Sequence, residues 1–324
     1  MIKTYKFRIY PSKKQEVKLI STLNTCRWLY NSSLAERKHQ AEINKLYSYL
    51  QLFPLGKPEW INYYDQARNL TLSKTDEQKQ VYSQVLQNVL KRINRSFKNF
   101  FNGYGYPRFQ GRNRYDSFTY PQKGFSITDE GKLKLSKIGE MKLIQHREIE
   151  GKIKTCTIKR DVNQWYVSFV VEMDEIPCNE MTGKSIGIDV GLKSLITLSN
   201  GEQIESPKFL RQSENKLAKQ QSNLSRKKKG SNNRDKQRVK IAKLHRKIRN
   251  QRQDFAHKVS RKLVNTYDLI VFEKLQIQNM IKNHRLAKSI SDAGWNQLIQ
   301  FTKYKAGHAG KVVELVDPRN TTQN

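Results

Sequence analysis

The sequence predicts an α+β multidomain protein, a small β-barrel that carries a helical insertion followed by a second domain of mixed sheet and helices. Three observations predict it. Residues 3–10 and about 115–175 alternate apolar and polar side chains at period two, the mark of strands buried on one face. Between them, apolar residues recur at three- and four-residue steps, the mark of amphipathic helices. From Lys184 the pattern becomes short apolar strands separated by helical stretches, in the order β-β-β-α-β-α-β. At 324 residues, each domain can bury a core of its own.

Tyr5, Phe7 and Ile9 share one side of the first strand, with Lys6 and Arg8 on the other. Pro11 ends it, and Ser12 is placed to N-cap a helix carrying Leu19, Leu23, Cys26, Tyr30 and Leu34. Residues 48–73, with Pro54 and Pro58, read as short helices and loops. A second helix is predicted over about 76–102 from the stripe Val81, Val85, Leu86, Leu90, Ile93 and Phe97. Lys154–Lys159 and Trp165–Val171 form a hairpin that turns at 160–163. The first strand joins this β-region most economically, which makes the intervening helices an insertion into the barrel. In the second domain strands are expected at 185–190, 194–198, 202–205, 269–273 and 311–316, with an Asn200-Gly201 turn and a helix around 288–305. Trp28, Trp60, Trp165 and Trp295 read as core residues rather than base-stacking platforms.

The balance of 61 Lys and Arg against 29 Asp and Glu gives a net charge of +32, which needs a polyanion to spread over. Nucleic acid is the expected partner. A basic membrane-surface protein is the competing reading, but no amphipathic anchor or lipidation signal is evident. The N-terminus lacks a signal-peptide core, and no apolar run approaches a membrane span. Cys26, Cys156 and Cys178 are far apart and form no C-x-x-C pair, so neither zinc nor a disulfide framework is expected, and a reducing cytoplasm fits.

Residues 216–262 hold 18 Lys and Arg and only two acids, Asp235 and Asp254. Ile241, Leu244, Ile248, Phe255, Val259 and Leu263 trace an apolar seam through them at helical spacing. With so few acids to pair at i,i+4, such an arm repels itself unless it faces phosphates. A merely solvated charged helix is the plainer alternative. Arg226, Lys227, Lys228, Lys229, Lys240, Lys243 and Lys247 are the candidate backbone contacts, and the break at 227–233 reads as a flexible loop between two helical arms.

Asp189 ends the strand Ser185–Val190, flanked by Gly187 and Gly191, and Glu273 ends Leu269–Glu273. Singly, each reads as a turn or surface residue. Jointly, a carboxylate at the tip of each of two buried strands is the way an RNase H-like fold builds a divalent-metal nuclease site. That chemistry needs a further acid from a later helix, and Asn324 comes before any such helix. Asp292, Glu314 and Asp317 are the candidates at hand, none of them on a returning helix. Asp189 and Glu273 therefore read as a remnant that would hold one Mg2+ weakly.

Several segments resemble the TnpB (OrfB) family of transposon-encoded RNA-guided nucleases, relatives of type V CRISPR effectors. Lys6-Phe7-Arg8-Ile9-Tyr10-Pro11 is similar to the family's first strand. Asn99-Phe100-Phe101, Gly105-Tyr106-Pro107-Arg108-Phe109 and Ser117-Phe118-Thr119-Tyr120-Pro121 resemble its helix-to-barrel crossing. Gly187-Ile188-Asp189-Val190-Gly191 and Phe272-Glu273-Lys274-Leu275 resemble the first two RuvC motifs. Residues 316–323 resemble the lead into the family's zinc ribbon, where this chain ends instead of continuing into cysteines. With no zinc and no third acid, the combination is similar to the TnpB-like nuclease-dead repressors (TldR).

The resemblance implies a wedge β-barrel at residues 1–10 and 110–182 and a helical recognition insertion at 11–109. It also implies an incomplete RuvC domain at 184–324 with a basic arm at 211–265. It implies guide RNA as cofactor and double-stranded DNA as target, read by base pairing, with the protein reading a short adjacent motif. Ser83, Gln84, Gln87 and Tyr120 are the implied motif readers, and Gln suits adenine. Arg108 joins the backbone contacts. The plainer alternative makes Ser83, Gln84 and Gln87 the wet side of an amphipathic helix. The expected function is RNA-guided DNA binding without cleavage, repressing transcription by occupancy in a prokaryotic, nucleoid-associated setting. An RNA-guided DNA endonuclease and a guide-independent basic RNA- or DNA-binding protein are the alternatives.

Overall fold

The computed structural model describes residues 1–50, 58–112, 114–173, 181–192, 194–280 and 282–317. It divides into two compact units, Met1–Asp174 and Glu175–Asn324.

In the first unit, β1 (Ile2–Tyr10) buries Tyr5, Phe7 and Ile9, as their alternation predicts. α1 (Lys13–Tyr49) follows, and Ser12 closes a reciprocal capping box with Gln15. The helices α2 (Tyr63–Leu72), α3 (Asp76–Lys79) and α4 (Ser83–Phe101) precede β2 (Ser117–Tyr120). The helix expected over 76–102 is thus two. Tyr82 leaves helical geometry at φ −60°, ψ 126°, and its ring stacks on Tyr120 at 5.7 Å. Gly124, at φ +89°, sits under that ring, and a Cβ there would lie 2.6 Å from it.

The remaining strands are β3 (Phe125–Ile127), β4 (Lys132–Leu135), β5 (Gly139–Ile144), β6 (Lys152–Asp161) and β7 (Gln164–Glu172). The sheet order is β2-β6-β7-β1-β5-β4-β3, with β1 antiparallel to both β7 and β5. The predicted hairpin is β6–β7, whose two-residue turn puts Val162 at φ +59°. Among the described residues no ladder closes this sheet into the expected barrel. Its edges meet through side chains instead, Tyr120 of β2 lying 6.5 Å from Phe125 of β3.

Helices and sheet share one hydrophobic core in which Leu19, Val85, Leu90 and Ile93 join Phe7, Phe118, Val167 and Phe169. The helical insertion therefore has no separate core. Arg92 ties α4 to β2, donating to Ser117 O at 2.7 Å and Thr119 Oγ1 at 2.8 Å. Of the four tryptophans, Trp165 and Trp295 are buried as expected, but Trp28 and Trp60 are 67% and 64% exposed. Trp28 sits on an outward-facing side of α1, a placement that residue type alone does not reveal.

The second unit has the predicted element order. β8 (Ser185–Val190), β9 (Ser194–Leu198) and β10 (Gln203–Glu205) form an antiparallel meander. α5 (Phe209–Ser225) and α6 (Asn232–Thr266) lead to β11 (Leu269–Glu273), and α7 (Ile277–Met280), α8 (His284–Ala293) and α9 (Trp295–His308) lead to β12 (Val312–Val316). The sheet order is β10-β9-β8-β11-β12, with β11 parallel to both neighbours. The single helix expected near 288–305 is broken at Gly294, which takes φ +67°. Ile186, Ile188, Ile270 and Phe272 pack against Val259 and Leu263 of α6 and Leu298 of α9. One face of this sheet is covered by helices; the alternate residues, including Asp189 and Glu273, lie on the other.

A carboxylate pair and a cationic hairpin

Parallel pairing of β8 with β11 sets Ile188 beside Phe272, so the next residues along, Asp189 and Glu273, stand side by side. Burial first, and then the neighbouring Asp189 carboxylate, raise the Glu273 pKa above its ordinary value. Asp189 is exposed and Glu273 half-buried. The loop after Asp189 is anchored by Trp295 at the start of α9, whose Nε1 donates to Gly191 O at 3.3 Å. The expected two-acid juxtaposition is therefore present.

No further acid joins it among the described residues, which contain no cluster of three His, Cys, Asp or Glu side chains able to hold a metal ion. Asp292 of α8 is engaged elsewhere. It is buried, accepts from Arg252 of α6 at 2.5 and 3.1 Å, and accepts from the Leu210 N–H at the start of α5 at 3.3 Å. Glu314 shares the acids' sheet face but pairs with Val271, two residues short of Glu273. Asp317 follows β12 directly. Cys26 and Cys156 are wholly buried in the first unit's core, and burial pushes the Cys26 thiol up to about 12, the opposite of a metal-ligating thiolate. Cys178 and residues 318–324 lie outside the described residues.

The basic segment folds as a helical hairpin. α6 has 35 residues and extends about 52 Å at 1.5 Å per residue. Ile248, Val259 and Leu263 are buried along its seam, with Ile241, Leu244 and Phe255 half-buried. Lys240, Lys243 and Lys247 are exposed. The break between the arms is a clamped turn rather than a loose loop. Arg234 donates to Leu224 O and Lys227 O, both at 2.8 Å, and Ser231 Oγ donates to Lys228 O at 2.8 Å. Arg226, Lys228 and Lys229 are exposed there, with Lys227 half-buried. Gln237, 5% exposed, stitches the arms by donating to Gln220 O at 3.0 Å. That buried glutamine was invisible to a reading that follows apolar periodicity, as were Arg92 and the buried Asp268–Lys311 pair at 3.1 Å.

In the first unit, Ser83 and Gln87 are exposed on the first turns of α4, while Gln84 accepts from the Lys123 N–H at 3.4 Å. Tyr120 corrects the expectation attached to it. It is 1% exposed and its hydroxyl donates to Ser136 O at 3.0 Å, so it supports Tyr82 from within the core and presents nothing to a partner. Arg108 is exposed on the segment between α4 and β2. No helix among the described residues is long and apolar enough to cross a membrane.

Fold and site together define a mixed α/β protein with a carboxylate pair at one sheet end and a strongly cationic helical hairpin. Residues 168–284 match a family model described as "Probable transposase", of the IS605 OrfB group, and residues 1–45 match its companion described as "Helix-turn-helix domain". A Streptomyces pristinaespiralis protein named "Putative RNA-guided DNA endonuclease" is 34% identical, over 97% of this chain and 77% of its own length. An Escherichia coli K12 protein named "Putative RNA-guided DNA endonuclease InsQ" is 31% identical, over 99% of this chain and 82% of its own. The chain belongs to the IS605 OrfB (TnpB) family. The helix-turn-helix description does not fit the geometry of residues 1–45, which form β1 and most of one unbroken helix. The fold is also similar to the cryo-EM structure of the Cas12f1–sgRNA–target DNA complex, with TM-score 0.55 and 13% identity, over 100% of this chain and 90% of that one.

Proposed function

We propose that the chain binds a guide RNA and, through it, double-stranded DNA, and that these 324 residues occupy the target without cutting it. The observation that carries the proposal is the contrast within the second unit. The cationic hairpin runs through 35 residues of α6 and is stitched to α5 by buried Gln237, whereas Asp189 and Glu273 meet at the strand tips as a pair. The names of the relatives supply the guided-DNA chemistry, and the net charge supplies the attraction to it.

In this reading the five-stranded sheet is a RuvC-type RNase H fold and the seven-stranded sheet is the wedge, with α1–α4 as the recognition insertion. Ser83, Gln84 and Gln87 face the target-adjacent motif, and Arg108, the 226–229 turn and Lys240, Lys243 and Lys247 face phosphates. Such contacts supply affinity rather than sequence readout. The carboxylate oxygens of Asp189 and Glu273 suit Mg2+, and a divalent cation would offset both the burial and the Asp189 charge that raise Glu273. Those two residues would hold it. In the cell the reading is that of a TnpB-like nuclease-dead repressor, blocking transcription by occupancy.

The adjoining acids, together with the relatives' names, favour the endonuclease as the second reading. A supercoiled plasmid bearing the target, incubated with protein, guide RNA and Mg2+, separates the two. Guide-dependent retention without nicking is the expected result. Cleavage that Asp189→Ala abolishes would overturn occupancy, and retention indifferent to the guide sequence would overturn RNA guidance.

A further inference from the structure

From Gln78 to Tyr115 the sequence carries eight Lys and Arg and no acid. At the end of α4 this stretch turns out of the helix through Gly103, at φ +87°, and runs to β2 with its aromatic side chains on display. Phe101 is 76% exposed, Tyr104 70% and Phe109 50%. These are large apolar surfaces for a segment the chain could have buried. They also stand on an ordered base. Tyr106 makes edge contacts with Phe97 at 5.7 Å and Phe100 at 5.1 Å, and Phe100 touches Phe101 at 5.3 Å. Asn31 of α1 grips the far end twice, donating to Gln110 O at 3.0 Å and accepting from Gln110 N at 2.8 Å. Arg108, Arg112 and Arg114 are exposed among the rings.

Exposed rings alone would fit any apolar partner. Rings interleaved with arginines in an acid-free segment fit a partner that offers flat π-faces and negative charge together. An unstacked polynucleotide has both, whereas a duplex hides its base faces. We propose that residues 101–112 form a stacking platform for a single-stranded polynucleotide. Bases lie on Phe101, Tyr104 and Phe109, and phosphates lie near Arg108 and Arg112. The proposal extends the functional reading above in requiring nucleic acid as partner, but it does not depend on a guide.

The test uses the full chain and a short oligonucleotide carrying 2-aminopurine, in single-stranded RNA, single-stranded DNA and duplex arms. Phe101→Ala, Tyr104→Ala and Phe109→Ala are each expected to weaken single-strand binding about 5- to 160-fold, to lose the stacking quench, and to leave the duplex arm unchanged. Phe101→Leu keeps apolar volume without the ring and is expected to lose affinity similarly, which separates stacking from a folding defect. The RNA and DNA arms show which strand the platform takes. Equal losses on single strands and duplex, or none on either, would overturn the platform. Intact single-strand stacking beside failed guide-dependent targeting would leave the platform standing and remove the guided reading.

Discussion

Lys240, Lys243 and Lys247 fall within an arc of about 60° on α6 and span about 10.5 Å of its length, as 3.6 residues per turn and 1.5 Å per residue require. All three are exposed. If each neutralises one phosphate, the triple variant Lys240→Gln, Lys243→Gln, Lys247→Gln removes about 2 to 3 from the slope of log affinity against log salt, at roughly 0.7 to 0.9 per contact. Over a fourfold rise from about 50 to 200 mM salt, the wild type should then lose about 20- to 40-fold more affinity than the variant. Fluorescence anisotropy with a labelled RNA probe across a salt series measures it. Lys262→Gln is the control, because that side chain is already ion-paired with Glu202 and its loss should leave the slope nearly unchanged. A triple variant with the wild-type slope would show that this face of the hairpin does not meet phosphates, however basic it is.

Asp292→Ala should destabilise the second unit by about 2 to 3 kcal/mol in chemical denaturation, at or just below the bottom of the range for a broken buried pair because the Arg252 side chain is 26% exposed. A change below about 0.5 kcal/mol would mean that the pair does not join α6 to α8, and would return Asp292 to consideration as a site residue. The raised pKa of Glu273 gives a pH signature. The folded state holds this proton more tightly than the unfolded chain does, so the contribution is present in acid and is lost as pH rises from 4.5 through the raised value. In metal-free buffer Glu273→Gln should therefore remove that loss and melt higher than wild type at neutral pH. Parallel stability–pH curves for the two proteins would refute the raised Glu273 pKa.

Much of the second unit was legible because its strands are short, apolar and sharply bounded. β8, β9 and β11 fall where alternation and chain breaks place them, and parallel register then carries Asp189 to Glu273. The helix breaks were not legible. Val81 and Leu86 read as one stripe with the residues around them, yet Tyr82 takes extended backbone between α3 and α4, with its ring stacked on Tyr120. Tyr120 itself, polar-tipped and next to a proline, looks like a surface reader until the core closes over it.

By itself, the order of residues determined the strand and helix periodicities, the cationic arm, the two acids at strand tips and the family signature. These are local patterns, set by side-chain alternation and charge within a few turns of chain. Tertiary structure alone decided which polar groups are spent on packing. It committed Asp292 to Arg252 and Gln237 to Gln220, and it buried Tyr120 while leaving Trp28 and Phe101 exposed. The reason is that burial and pairing depend on neighbours brought together from distant parts of the chain, and no one-dimensional period carries that information.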